Sequence, residues 1–218
     1  MTRLLLAAAA TALIAGAAHA QDRDVPVGSF DRLEAGGQFD LFVTYGDTPS
    51  LRLSGDAAKS DDVIIEMRGD KLEISQRRPN WFRSPRPIDV DVHLVAVRIE
   101  EAEFSTGIDA VVEGVDEDVV DFEVNTGARA AISGSCGTAD YAISTGGELN
   151  ARNLICARID VSSSTGGMAD VHASEESNAR ASTGASVRVY GGPDRWRERE
   201  SLGGSVRYVR GERVAGGE

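Results

Sequence analysis

The chain has 218 residues, and its 23 basic against 35 acidic side chains give a formal net charge of −12 at neutral pH. That sign opposes nucleic acid and anionic membrane surfaces as partners, since both repel an acidic protein at long range.

Residues 1–20 read as a secretory signal peptide: Arg3 precedes a mostly apolar stretch over residues 4–18, and Ala18-His19-Ala20 makes an Ala-x-Ala cleavage site before Gln21. The apolar core is shorter than the roughly 20 residues needed to span a bilayer, so cleavage is expected and a membrane anchor is not. Gln21 is not a cysteine, which argues against a lipid-anchored form. Removing Arg3 leaves 22 basic against 35 acidic residues, a net −13 over 198 residues, enough for one elongated domain or two small ones. No later stretch has the length and apolarity to cross a membrane, so the expected location is periplasmic, secreted or cell-surface associated.

Residues 21–29 read as a linker and residues 30–98 as an N-terminal β region. Phe39, Leu41 and Val43, then Leu51 and Leu53, alternate with polar residues, and Gly46-Asp47 and Gly55-Asp56 mark turns. Apolar runs at 63–67 and 72–74 flank Gly69-Asp70, a hairpin signal. Ile88, Val90, Val92 and Leu94 carry the two-residue period onward. The region is expected to be a β cap or an irregular first part of the stack that follows. Its loop "RRPNWFRSPRP" (77–87) gathers Arg77, Arg78, Arg83 and Arg86 with Trp81 and Phe82, and its prolines oppose a regular strand. These six residues are the candidate binding site, for an anionic glycan or an envelope protein, because Arg and Trp are common interface anchors. The alternative is a hairpin excursion whose aromatics pack on the sheet.

Residues 99–210 repeat. Ser-Thr-Gly or a variant occurs at Ser105-Thr106-Gly107, Asn125-Thr126-Gly127, Ser144-Thr145-Gly146, Ser164-Thr165-Gly166, Ser182-Thr183-Gly184 and Ser201-Leu202-Gly203, at intervals of 20, 19, 20, 18 and 19 residues. Copies at near-constant spacing point to a structural corner and not to a nucleophilic serine. Four and six positions after each central residue stand apolar pairs, from Ala110 and Val112 to Val206 and Tyr208. Two and four positions before it stand Phe104 and Ala102, Val124 and Phe122, Ile143 and Tyr141, and Ala181 and Ala179. The fourth copy places Ser163 at such an inward position, tolerable if its hydroxyl bonds nearby backbone. Alternation on both sides of a bend describes two short strands per repeat. Units this short bury an apolar face only by stacking, so the predicted fold is all-β, a right-handed parallel β-helix or solenoid of about six coils, rungs about 4.8 Å apart. The glycines supply corner freedom, the Ser/Asn column can exchange rung-to-rung hydrogen bonds, and threonine favours strand conformation.

Columns give further expectations. Asp109, Arg129 and Glu148 alternate in sign on consecutive coils and should form an exposed ion-pair ladder. Cys136 and Cys156 each precede the next central threonine by nine positions. They share a column one rung apart, within the roughly 4.4 to 6.8 Å Cα separation of a disulfide, so a bridge that staples two coils is expected. Glu198 and Glu200 take the inward positions of the last copy, within "RWRERE", and should blunt an open edge as a cap. Residues 211–218 read as a flexible tail.

No catalytic constellation emerges. Only His93 and His172 remain after the leader, and no Gly-x-Ser-x-Gly, His-Glu-x-x-His, Walker or calcium-loop pattern occurs. No metal or cofactor is expected. The alternative to a non-catalytic binding or structural protein is a glycan-active enzyme using paired carboxylates in a solenoid groove. Asp170 is its candidate, but its column holds Val111, Ala131, Asn150 and Arg188.

"FDRLEAGGQFDLFVTYGD", "GDKLEIS", the Ser-Thr-Gly units and "VRVYGGPDRWRERESLGGSVRYV" together make residues 30–209 resemble the auto-transporter adhesin head GIN domain family. The resemblance implies a β-helical fold and an exported location, with adhesion suggested by analogy to adhesin heads and no catalytic residues to carry over. The sequence departs from the family in lacking a proline within "HLVAVRIEEAEFSTG" and in carrying two stacked cysteines. No translocating barrel follows, so self-export is not expected.

Overall fold

The structure is a computed structural model and describes residues 22–78 and 86–209. The expected signal peptide of residues 1–20, the expected tail 211–218 and loop residues Trp81, Phe82 and Arg83 lie outside the described residues.

Alternating burial governs the architecture. In β8 (Glu101–Ser105) Ala102 and Phe104 point inward, and β9 (Asp109–Val124) continues with Ala110, Val112, Phe122 and Val124. Strands with this period bury their apolar face by packing sheet against sheet. β10 (Arg129–Ile143), β11 (Glu148–Ser163) and β12 (Met168–Ala181) repeat the pattern and pair in parallel, β9 with β10, β10 with β11 and β11 with β12. Each pairing slips register partway along, as between Ile132 and Gly134, where the coil bends. Of the described residues 66% are strand and 2% helix, and they form about five turns of a β-solenoid.

Each Ser-Thr-Gly corner is a two-residue turn. Thr106, Thr126, Thr145, Thr165 and Thr183 have φ between 49° and 60°, and the glycine after each has φ between 72° and 78°. Both central residues are left-handed, the signature of a type I′ turn, and the amide of Gly147 closes one such turn on the Ser144 carbonyl at 2.9 Å. This corrects the reason for the threonine column. A β-branched residue is disfavoured at positive φ, so strand preference does not explain it. Leu202 adopts φ 49° at the last corner, so the turn does not depend on the hydroxyl either. The Ser/Asn column bonds between rungs where Ser144 Oγ donates to Asn125 Oδ1 at 2.7 Å.

The N-terminal region is the irregular first part of the same stack. β2 (Arg32–Gly36) and β3 (Asp40–Tyr45) form a coil that pairs in parallel with β8 and β9, setting Leu33 beside Ala102 and Leu41 beside Ala110. β6 (Lys71–Gln76) and β7 (Val90–Ala96) pair in parallel with the other side of β2 and β3. The coil formed first in sequence therefore sits between two formed later. β4 (Ser50–Gly55) adds antiparallel to β7, β1 (Arg23–Val25) to β4, and β5 (Val63–Arg68) to β6 in the hairpin expected around Gly69-Asp70. A short helix, α1 (Ala57–Ser60), is capped by Asp56, whose side chain accepts the Ala58 amide at 2.9 Å.

The stack ends with β13 (Ser186–Tyr190), β14 (Arg195–Glu200) and β15 (Ser205–Tyr208), β14 pairing β12 and β15 pairing β13. One core runs through the coils and changes composition along its length. Leu33, Leu41, Leu72, Ile74, Phe104 and Phe122 fill the N-terminal layers, whereas Ala173, Ser177, Ala179 and Ala181 fill the layer beneath β14.

Cys136 and Cys156 face each other on β10 and β11 with Cα atoms 4.5 Å apart and form a disulfide. The expected ion-pair ladder is present, Arg129 lying 3.4 Å from Asp109 and 3.5 Å from Glu148. Ser163 departs from expectation: it is 1% exposed, and its hydroxyl has no hydrogen-bond partner among the described residues.

Candidate functional site

The loop singled out in the sequence stands where β6 passes to β7, in the position where the adjacent coil passes from β2 to β3 through Gly37, Gln38 and Phe39. Its neck is fixed by Gln76, a buried amide in a coil interior whose other buried polar side chains, among the described residues, are serines. Gln76 Oε1 accepts the Gln38 amide at 2.8 Å, and its Nε2 donates to the Arg86 carbonyl at 2.8 Å. On the other side the Arg77 amide donates to the Asp62 carbonyl at 2.7 Å, and its guanidinium reaches the Asp61 carbonyl at 3.3 Å. Arg77, Arg78 and Arg86 are exposed. Arg78 borders a hollow of about 180 Å³ shared with Glu34, Glu73, Ser105 and Thr106. The structure thus brings three of the six predicted binding residues to one corner, and the other three fall outside the described residues.

An acidic ladder lies on the outer face of the strands preceding the corners. Glu101, Asp121, Asp140 and Asp160 are successive register partners. Beside them Glu34, Glu103 and Glu123 form a second acidic column. Burial raises the carboxyl pKa of Asp121, with further contributions from Glu123, Asp140 and Glu101. Burial likewise raises Asp140, next to Asp160, and Glu103, next to Glu34 and Glu123. Lys71 neutralises Glu34 and Arg180 neutralises Asp160, each through one short ion pair. This ladder was readable from the repeat, since each acid stands five positions before a central threonine. Its signal is weaker than that of the apolar columns it alternates with, because exposed acids are common in a chain with 35 of them.

The enzymatic alternative gains no support from Asp170. Its carboxylate meets Arg188 Nε at 2.6 Å, and its register neighbours on the preceding coils are Asn150, Ala131 and Val111, as the columns predicted. His93 contacts Ser54 Oγ at 3.2 Å and stacks on Phe42, while His172 packs against Gly191 near the other end of the stack. Among the described residues no group of His, Cys, Asp and Glu is arranged to hold a metal ion, and no helix is long and apolar enough to cross a membrane.

Coils stacked in parallel around a single core, with an arginine-bearing excursion at one corner, define a β-solenoid domain and not a barrel. The chain belongs to the family described as "Putative auto-transporter adhesin, head GIN domain", which matches residues 29–193. Among solved structures it is similar to a "putative adhesin" from Bacteroides fragilis, with a TM-score of 0.73 at 16% identity over 88% of this chain and 98% of that one. A "putative lipid binding protein" from Parabacteroides distasonis aligns with a TM-score of 0.53 at 14% identity, covering 88% of this chain and 97% of that one. A "putative adhesin" from Parabacteroides merdae aligns with a TM-score of 0.50 at 15% identity, covering 89% and 98%. At these identities the likeness concerns the fold. No curated protein matches the chain.

Proposed function

We propose that this protein is a non-catalytic, exported binding module of the cell envelope, an adhesin-like solenoid that takes an anionic glycan at the corner insertion of residues 77–87. The observation that carries this reading is the Gln76 clamp. A buried amide spends both ends of its side chain on holding the neck of an insertion in an otherwise regular stack, and insertions in solenoid repeats commonly lie on the binding face. Four arginines concentrated there in a chain of net charge −12 give the insertion a sign opposite to its surroundings, suited to carboxylate or sulfate groups. Membership of an adhesin-head family and the signal-peptide pattern of residues 1–20 point the same way. The test is binding of the purified protein to a glycan array and to whole cells. Binding is expected to be salt-sensitive and lost in the Trp81→Ala, Arg83→Ala double variant, whereas unchanged binding in that variant removes the insertion from the account.

A further inference from the structure

We propose a second binding site, for an uncharged saccharide, at the open C-terminal end of the solenoid, centred on Trp196 and Tyr208. It extends the binding reading above to residues that share nothing with the 77–87 insertion.

The site follows from how the core ends. Trp196 is the register partner of Ser177 on β12, and Tyr208 that of Val189 on β13, so both occupy inward columns of the final layer. The layer beneath is built from Ala173, Ser177, Ala179 and Ala181. No further coil covers them among the described residues, and Trp196 is 52% exposed. The rings stand 5.8 Å apart at 49°, flanking a cleft of about 530 Å³ that Gly192, Pro193, Asp194 and Val209 complete. A second hollow of about 340 Å³ continues on the other side of Trp196, lined by Glu176, Arg195 and Arg197. Volumes of this order suit small-molecule ligands.

The frame is held. Gly191, at φ 92°, turns the chain into β14 where a Cβ would lie 2.3 Å from the Ala173 carbonyl oxygen, so the approach to Asp194 requires glycine. Tyr208 Oη donates to the Arg197 carbonyl at 3.3 Å or to Ser177 Oγ at 3.4 Å, which orients its ring. Glu176 is held by Arg195 at 3.0 Å, whereas Arg197 only reaches it at 4.0 Å and remains largely exposed. Asp194 forms no ion pair among the described residues.

A sugar ring presents an apolar face of C–H groups and a rim of hydroxyls, each both donor and acceptor. Recognition therefore needs an aromatic plane with carboxylates and guanidiniums at its edge, and this end supplies both. The mixed signs of Asp194, Glu176, Arg195 and Arg197, within a chain of net charge −12, favour an uncharged sugar over a polyanion. A second copy of the chain is disfavoured because end-to-end pairing would bring Glu198 and Glu200 of each copy together at inward positions.

The chain holds two tryptophans. In the full-length, disulfide-bonded Trp81→Phe protein, emission therefore reports Trp196 alone. Titration with cellohexaose, maltohexaose and chitohexaose up to about 10 mM is expected to give a saturable emission shift with at least one of them, insensitive to about 0.5 M salt. Arg197→Ala, at an exposed side chain, is expected to weaken it by about tenfold. Calorimetry should show no binding by Trp196→Ala, with circular dichroism confirming that this variant is folded. The proposal is overturned if all three sugars leave the emission unchanged, or if binding survives Trp196→Ala. It is also overturned if only an anionic polysaccharide shifts the emission and salt abolishes the shift, if the protein self-associates through this end, or if deleting residues 210–218 moves the emission while sugars do nothing in either form. Because the insertion is assayed by its own variant pair, loss of one reading leaves the other standing.

Discussion

The amide of Gly127 donates to the carbonyl of Thr145 across 3.1 Å, and the same bond joins Gly146 to Thr165, Gly166 to Thr183 and Gly184 to Leu202. The corners are thus continuous with the sheets, each turn carrying its own rung of the ladder. That rung holds a β-branched residue in a conformation it does not prefer. Asparagine tolerates positive φ far better than threonine. Thr145→Asn is expected to raise stability by about 0.5 to 1 kcal/mol, read as a higher urea midpoint with an unchanged slope.

The disulfide joins adjacent coils that are already paired strand to strand, so its main effect falls on the unfolded chain, where it closes a loop between residues 20 apart. Replacing both Cys136 and Cys156 with serine is expected to cost about 3 kcal/mol. The far-ultraviolet circular dichroism should stay the same, while the guanidinium midpoint falls and no longer responds to reductant.

Ser163 keeps a hydroxyl in an apolar column, between Ile143 and Ala181 in register, with no hydrogen-bond partner among the described residues. Ser163→Ala removes the orphaned group with little change in volume. It is expected to stabilise the fold by about 1 kcal/mol. A lower melting temperature would show that the hydroxyl has a partner in solution.

The acidic ladder makes stability depend on pH. A carboxyl that holds its proton more tightly in the folded chain than in the unfolded one weakens the fold when ionised, and the penalty is relieved as pH falls through its raised folded pKa toward the ordinary carboxylate range. Asp121, Asp140 and Glu103 are all shifted upward, burial first and neighbouring carboxylates second. The melting temperature should therefore rise between pH 7 and about pH 5. Asp70 is shifted the opposite way by its hydrogen bond to Arg32, so its contribution is lost only at lower pH, below the ordinary value of 3.8. Asp140 faces Asp121 and Asp160, the latter already paired with Arg180 at 2.7 Å. Asp140→Asn should stabilise the protein by roughly 0.5 kcal/mol at pH 7 and flatten the profile. An unchanged profile would place the ladder's carboxylates at ordinary affinity for protons.

The period of the Ser-Thr-Gly units carried most of the fold. It placed Cys136 over Cys156, Arg129 between Asp109 and Glu148, and Asp170 beside Arg188, because in a parallel stack equal sequence offsets become vertical neighbours. The same arithmetic contained the ladder from Glu101 to Asp160. Backbone conformation lay beyond it: a threonine column reads as strand, and only the φ values reveal left-handed turns.

Sequence alone determined the all-β class, the inward columns and the pairing of the cysteines, since each depends on local alternation repeated at a fixed interval. Tertiary structure alone decided that the coil of β2 and β3 lies between β6 with β7 and β8 with β9. Nothing in local pattern specifies that order, because any coil offering an apolar face and two open edges can accept any other, and the choice rests on which layers fit together. The same holds for the C-terminal end. Trp196 and Tyr208 look unrelated along the chain and meet because the stack sets β14 over β12 and β15 over β13.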